Sequence, residues 1–135
     1  MSLFSFSGKR PDNLGVKQGK LLACPSTPNC VCSQADTSDQ EHFIEPIANT
    51  KAPGDAIASL KTIIEGMERS TVNETTDSYL YAEFSSKIMG FVDDVEFYVE
   101  PSGQIQVRAA ARLGKSDLGV NRKRVETIRE KFQTS

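Results

Sequence analysis

Three cysteines stand close together in the segment "CPSTPNCVCSQ", and metal binding is the first chemistry that they suggest. Cys24, Cys30 and Cys32, with the only histidine, His42, make up a Cys3His set of the kind that holds tetrahedral zinc. Zinc knuckles bring their ligands in steps of about two to four residues, whereas five, one and nine residues separate these four. The spacing therefore argues against a zinc site.

The same loop could supply a cysteine nucleophile, with Cys30 activated by His42 as its base. Few cations stand near it, and cations are what lowers the pKa of a reactive thiol. A structural role is favoured instead, because Pro25 and Pro28 stiffen a bend that returns Cys30 toward Cys24. Such a bend closes as a disulfide in an oxidising compartment or holds buried thiols in the cytoplasm.

Asp93 and Asp94 are neighbours in the strand pattern "FVDDVEF". Adjacent residues of a strand point to opposite faces of the sheet, so the two carboxylates do not form a paired acid and base. Asp93 falls on the apolar side of the alternation, where a buried carboxylate requires a cation. The candidate partners are Arg112 and the basic turn at 122–124.

The segment "GKSDLGVNRKR" predicts a glycine-flanked loop that runs into the start of a helix. It lacks the residues of a phosphate-binding loop before "GKS", so nucleotide hydrolysis is rejected. Free backbone N–H groups beside Lys115, Ser116, Asn121 and Arg122 suit an anion or a carboxylate. The alternative is that Ser116 and Asp117 cap the turn while the arginines meet nearby acids.

Residues 1–53 show no sustained period and predict a long extended arm that carries the cysteine loop. The segment "HFIEPI" within it predicts a short edge strand. One alternative is that the arm packs across the domain through its own apolar residues; the other is that it awaits a partner. The apolar residues of the arm are Leu3, Phe4, Phe6, Leu14, Val16, Leu21 and Leu22.

Residues 54–135 predict a core of helix, strands and helix. The first helix starts at Asp55 as N-cap, and "STVNETTDSYLYAEFSS" follows as two pieces of strand. The next two strands form a hairpin around "PSG", in which Gly103 takes a left-handed conformation. The second helix starts near Asn121 as N-cap. The inward positions of the helices are Ile57, Leu60, Ile64, Met67, Val125, Ile128 and Phe132.

The alternation in the hairpin also predicts its register. Val99 faces Ile105, Phe97 faces Val107, and Glu96 lies opposite Arg108 on the other side. The fold class is therefore α+β, a two-layer sandwich in which two helices cover one face of an antiparallel sheet. The opposite face is expected to be too polar for a second core, since it carries Asp94, Glu96, Tyr98, Arg108 and Arg112.

Composition restricts the classes of function. A chain of 135 residues with 38% hydrophobic residues fits one globular domain. Its formal charge of -2 gives no positive electrostatic potential that would attract nucleic acid. No stretch has the roughly 20 apolar residues of a membrane-spanning helix, and the first residues lack the apolar region of a secretory signal. An odd number of cysteines suits a reducing compartment, so a cytoplasmic location is predicted.

Five motifs in one order carry a family resemblance: "RPDNLGV", "LLACPSTPNCVCSQ", "IEPI", "YLYAEFSSKIMGFVDDVEFYVE" and "VRAAARLGKSDLGVNRKRVETIR". With them the chain resembles an uncharacterised bacterial and plastid family, domain of unknown function 1499. It departs from the family pattern at Cys32, where a small polar residue is usual, and in the alanines of "RAAAR". The resemblance implies a Cys24–Cys30 bridge for exported members more than for this chain. It also implies, by analogy alone, a part in membrane-complex assembly.

Together these features predict a non-enzymatic binding domain without a cofactor. The cysteine bend and the "GKSDLGVNRKR" loop are expected to frame a polar pocket at one end of the sheet, for a small anion, a lipid-like acid or a peptide. Two alternatives stay open: an enzyme that uses Cys30 with His42 or a cysteine-bound metal, and a scaffold whose arm docks on another protein. The predicted ligand-binding residues are Asn29, Gln34, Asp93, Arg108, Arg112, Ser116, Asp117, Asn121 and Arg122, and the structural cysteine loop is Cys24, Cys30 and Cys32.

Overall fold

The helices and strands follow one another in the predicted order. The computed structural model describes residues 8–87 and 90–135. Within them, helix α1 spans Pro53–Glu65 and helix α2 spans Val120–Gln133. The strands are β1 (Cys30–Cys32), β2 (Ser70–Thr75), β3 (Tyr79–Ser85), β4 (Val92–Val99) and β5 (Ile105–Ala111). They form an antiparallel five-stranded sheet in the order β1-β5-β4-β3-β2, which confirms the α+β class.

Both helices pack on the same face of this sheet, as their apolar periods predict. Leu60 and Ile64 of α1 and Ile128 of α2 are fully buried in one cluster with Phe97 and Val107 of the central strands. Burying apolar area of this kind is the main favourable term in folding. In the part of the chain that the structure describes, no helix is long and apolar enough to cross a lipid bilayer.

The helix starts differ from the prediction. Helix α1 begins at Pro53, and Asp55 lies in its first turn rather than at the cap. Proline suits the first helical position because the N–H that it lacks has no partner there in any helix. Helix α2 begins at Val120 after Gly119 in the left-handed conformation, so Asn121 lies buried inside the first turn and is not the N-cap.

The hairpin of β4 and β5 has the predicted register. Val99 pairs with Ile105, and Glu96 pairs with Arg108 across the two strands. The loop is closed by the Glu100 N–H, which donates to the Gln104 carbonyl at 2.9 Å. Gly103 has a φ of 97°, the left-handed backbone expected for it.

The edge strand is not where the sequence predicted it. Cys30–Cys32 itself forms β1 and pairs with β5, while the "HFIEPI" segment makes only isolated bridges, at Phe43 and Ile47. Pro46 explains the difference, because a residue without an N–H cannot continue a ladder of hydrogen bonds. The cysteine loop is thus built into the sheet.

The face opposite the helices is covered, which corrects the expectation that it is too polar for a second core. Leu14, Val16 and Leu21 of the arm pack against Tyr79 and Tyr81 in a small separate cluster. The arm is therefore laid across the sheet over the residues that the structure describes, and Leu3, Phe4 and Phe6 lie outside them.

Candidate functional site

The cysteine loop is closed by a disulfide between Cys24 and Cys30, whose Cα atoms lie 5.7 Å apart. Cys32 is a free thiol and is buried. Burial raises the pKa of Cys32, so its sulfur stays protonated near neutral pH and is a poor nucleophile. With the Cys30 sulfur held in the bridge, the loop has no thiolate for the predicted cysteine mechanism.

His42 is fully engaged as well. Its Nδ1 lies 2.8 Å from Asp39 Oδ2, and its Nε2 lies 2.9 Å from the carbonyl oxygen of Thr27. Both partners are acceptors, and the hydrogen bond to Asp39, followed by that to Thr27, raises the pKa of His42. Both ring nitrogens are thus engaged in holding the loop in place, and neither is directed at Cys30 as the predicted base would be.

The sulfur and acidic side chains do not form a metal site in the described residues. Over 8–87 and 90–135, no three His, Cys, Asp or Glu side chains lie close enough together to hold a metal ion.

Arg112 lies in a network of buried charges on the face under the arm. Its Nε and Nη2 donate to the two carboxylate oxygens of Asp94 at 2.9 and 2.8 Å, and Nη2 also contacts Glu83 and the Tyr81 hydroxyl. Arg10 of the arm donates to Glu83 at 3.0 Å. Burial opposes ionisation of Glu83, but hydrogen bonds from the two arginines outweigh it and lower the pKa. Arg112 is thus satisfied from within the protein.

Glu96 and Arg108 form the second buried group on this face. Glu96 Oε2 accepts hydrogen bonds from the Tyr79 hydroxyl and from the Gly15 N–H of the arm at 2.7 Å. Its Oε1 lies 4.0 Å from Arg108 Nη1, too far for a hydrogen bond. Burial raises the pKa of Glu96, because the carboxylate is taken out of water. Glu96 therefore holds the arm, and both side chains are buried away from solvent.

A cavity of about 440 Å³ lies at the end of the sheet where β4 starts and β5 ends. Residues of the β5–α2 loop line it, and Asp93, Ser116 and Asp117 are in its wall. Four large apolar side chains are exposed in the described part of the chain, and all four line this cavity: Phe91, Leu113, Leu118 and Val120. The exposed large apolar side chains of the described residues are thus gathered in one place.

The two arginines that line the cavity differ in how strongly the rest of the protein holds them. Arg124 donates to Asp93 at 2.6 Å and to Asn121 at 2.9 Å, and its guanidinium lies 4.6 Å from the ring centre of Phe84. Burial raises the pKa of Asp93, although Arg124 opposes this shift. The side chain of Arg69 is 42% exposed and pairs only with the exposed Glu68 among the described residues, at 3.0 Å. An exposed pair of this kind is weak, so Arg69 can exchange its partner.

The start of α2 is occupied by its own carboxylate. Asp117 accepts hydrogen bonds from the Gly119 N–H at 2.9 Å and from the Asn121 N–H at 3.0 Å, and Asn121 Nδ2 donates to it as well. The capping alternative considered for Asp117 is therefore what the structure has. The Asn121 N–H, which was predicted to receive an anion, is thus already bonded to a carboxylate of the protein.

The other predicted residues do not reach this cavity. Asn29 donates to the Gly114 carbonyl at 2.8 Å, and Arg122 donates to two carbonyl groups of the segment after the cysteine loop, at 3.3 Å. Gln34 holds the arm through the Leu21 N–H, and it lines a different cavity of about 360 Å³ together with Cys24 and Cys32. The cysteine bend and the β5–α2 loop thus line separate cavities rather than one.

A family model for a protein of unknown function, DUF1499, matches residues 20–132. The chain belongs to the DUF1499 family. No curated protein matches the chain.

The DUF1499 match includes every residue that lines the 440 Å³ cavity and leaves out the arm residues before position 20. Sequence reasoning missed Arg69, Phe91, Leu113 and Leu118 as site residues. Leu118 had a signal, because an apolar residue between Asp117 and Gly119 is unusual in a polar turn. Arg69 had none, since nothing in "MERS" shows that it meets the β5–α2 loop.

Proposed function

We propose that the chain is a binding domain for an amphipathic carboxylic acid, of the lipid-like class, held in the 440 Å³ cavity at the end of the sheet. The observation that supports this most is the gathering of all four exposed large apolar side chains of the described residues around one cavity that also contains arginine. An apolar tail and a carboxylate together satisfy both features.

The size and lining of the cavity fit such a ligand. Small-molecule sites are mostly apolar clefts of roughly 300–1,000 Å³ with a few polar groups that set orientation. Here Phe91, Leu113 and Val120 supply the apolar wall, and the Ser85 and Ser116 side chains supply hydroxyl groups. A wholly charged anion such as phosphate would gain nothing from the apolar part of the lining.

Arg69 is the residue proposed to bind the carboxylate. Arg124 is already held by Asp93, Asn121 and the Phe84 ring. If a ligand drew Arg124 away, the buried Asp93 carboxylate would be left without its cation. Arg69 has only its exposed contact with Glu68 to give up. A carboxylate can accept two parallel hydrogen bonds from a guanidinium, which favours arginine over lysine in this position.

The experiment is an isothermal calorimetric titration of the full chain with dodecanoate. It compares the wild type with Arg69→Gln and Arg122→Gln. We expect Arg69→Gln to weaken binding about tenfold or more, through loss of a charge-assisted pair. Arg122→Gln serves as the matched control, because this arginine contacts carbonyl groups away from the cavity. Equal loss in both variants, or loss only in Arg122→Gln, would contradict this placement of the site.

A cytoplasmic location and a part in membrane-complex assembly both remain predictions from the sequence. The Cys24–Cys30 disulfide bears on the first, because disulfides persist in oxidising compartments and are reduced in most cytosols. Alkylating the thiols in intact cells and weighing the protein distinguishes the two. Three alkylated cysteines support the cytoplasm, and one alkylated cysteine contradicts it.

A further inference from the structure

Leu118 occupies an unusual position beside the cavity. It is 93% exposed, and its φ of 55° lies in the left-handed region that a bulky residue rarely adopts. A hydrophobic residue directly before a helix N-cap often packs against the fourth helical residue, but that position here is Lys123. Among the described residues, neither the exposed side chain nor the left-handed backbone of Leu118 contributes a contact that stabilises the fold.

Strained residues of this kind gather around the same cavity. Gln18, Arg69 and Leu118 are the non-glycine residues with positive φ in the described chain, and two of them, Arg69 and Leu118, line the cavity. Backbone strain of about 1 to 3 kcal/mol per residue persists mainly where function requires it. The coincidence favours a role for Leu118 at this site.

The backbone of the loop that carries Leu118 is anchored on both sides of this residue, so what can change position is the Leu118 side chain. Asn29 holds the Gly114 carbonyl at one end, and Asp117 holds the Gly119 N–H at the other. Between these points the Leu118 N–H donates to the Ser116 hydroxyl at 3.3 Å, a long bond. The Asp117 carbonyl also accepts from the Val120 N–H at 3.1 Å, so the backbone stays fixed to α2 while the exposed Leu118 side chain can change rotamer.

We propose that Leu118 is the lid of the cavity, which folds onto the apolar tail of the bound acid and so sets the tail length that the site prefers. This inference rests on the proposed function. A short acid occupies the part of the site near Arg69 without reaching the lid, whereas a longer acid gives Leu118 an apolar surface to cover. Burying a leucine side chain corresponds to about tenfold or more in affinity.

Two substitutions separate the lid from a merely structural role. Leu118→Asn removes the apolar side chain but suits a left-handed backbone, so the fold is expected to stay at least as stable. Leu118→Met keeps an apolar side chain of similar volume and is the matched control. Thermal unfolding of both variants checks that each is folded before binding is measured.

The test measures dissociation constants for butanoate and dodecanoate by calorimetry in the wild type and both variants. We expect Leu118→Asn to weaken dodecanoate binding about tenfold, with butanoate unchanged and Leu118→Met close to the wild type. Unchanged dodecanoate binding in Leu118→Asn, or equal loss for both acids, would overturn the lid. A wild type that binds neither acid would overturn the proposed function itself, so the two failures are distinguishable.

Discussion

Removing the Cys24–Cys30 disulfide should lower stability by an amount that follows from the size of its loop. The bridged cysteines are six positions apart, so the bond restricts a short loop of the unfolded chain. The chain-entropy relation for a loop of this length corresponds to about 2.3 kcal/mol at 25 °C. With an unfolding entropy typical of a chain of 135 residues, this lowers the melting temperature by about 8 °C.

The assay is thermal unfolding followed by circular dichroism, with and without dithiothreitol, in the wild type and Cys24→Ala. Reduced wild type and untreated Cys24→Ala should melt at the same temperature, about 8 °C below the oxidised protein. Cys32→Ala retains the bridge and should respond to reductant as the wild type does, which controls for loss of a buried sulfur. A shift below about 2 °C on reduction would refute the loop-entropy argument.

Three further perturbations test contacts elsewhere in the fold. The pKa of His42 is raised in the folded state, so protonation of His42 stabilises the fold. This contribution is complete below the unfolded pKa of about 6.5 and is lost as the pH rises through the folded pKa. His42→Gln should therefore make the melting temperature less dependent on pH in this range. Phe97→Ala, at a fully buried site, should lower the free energy of unfolding by about 3 to 5 kcal/mol in urea titrations. Arg112→Leu should lower it by about 3 kcal/mol by leaving the buried Asp94 carboxylate unpaired, whereas Arg122→Leu should change it by less than about 1 kcal/mol.

The results that contradict these three expectations are equally specific. A pH dependence that His42→Gln leaves intact would assign the titration to another group. A loss below about 1 kcal/mol in Phe97→Ala would mean that the core closes over the missing ring. Equal effects of the two arginine substitutions would show that Arg112 is no more a structural partner than Arg122 is.

The predictable parts of the fold are those that depend on the periodicity of apolar residues over short stretches of sequence. The register of β4 and β5 follows from alternation on both strands and from the loop that Gly103 permits, and each contact joins residues near one another in the chain. The inward faces of the helices follow from steps of three and four residues. Strand β1 was missed because its length of three residues is too short to show a period.

The candidate site was predictable only in part, because a cavity is made by residues distant in sequence. The glycines and polar residues of the β5–α2 loop mark it as a loop in the sequence, and residues of this loop line the cavity. Arg69 and Phe91 reach the same place through the ends of other strands, and no local pattern records that meeting. The exposure of Leu118 is likewise a property of the folded chain and not of its neighbours in sequence.

The burial of the charged face changes which arginines can be considered for ligand binding. Arg108 and Arg112 were predicted to be cations of a polar surface, but both are buried, and each has an internal carboxylate as its nearest charged partner. A ligand acid at Arg112 would have to replace Asp94, which would then remain as a buried, unpaired charge. An exposed arginine with a weak partner has no such obstacle. The same reasoning that assigns Arg112 to stability therefore supports Arg69 as the proposed cation for the ligand carboxylate.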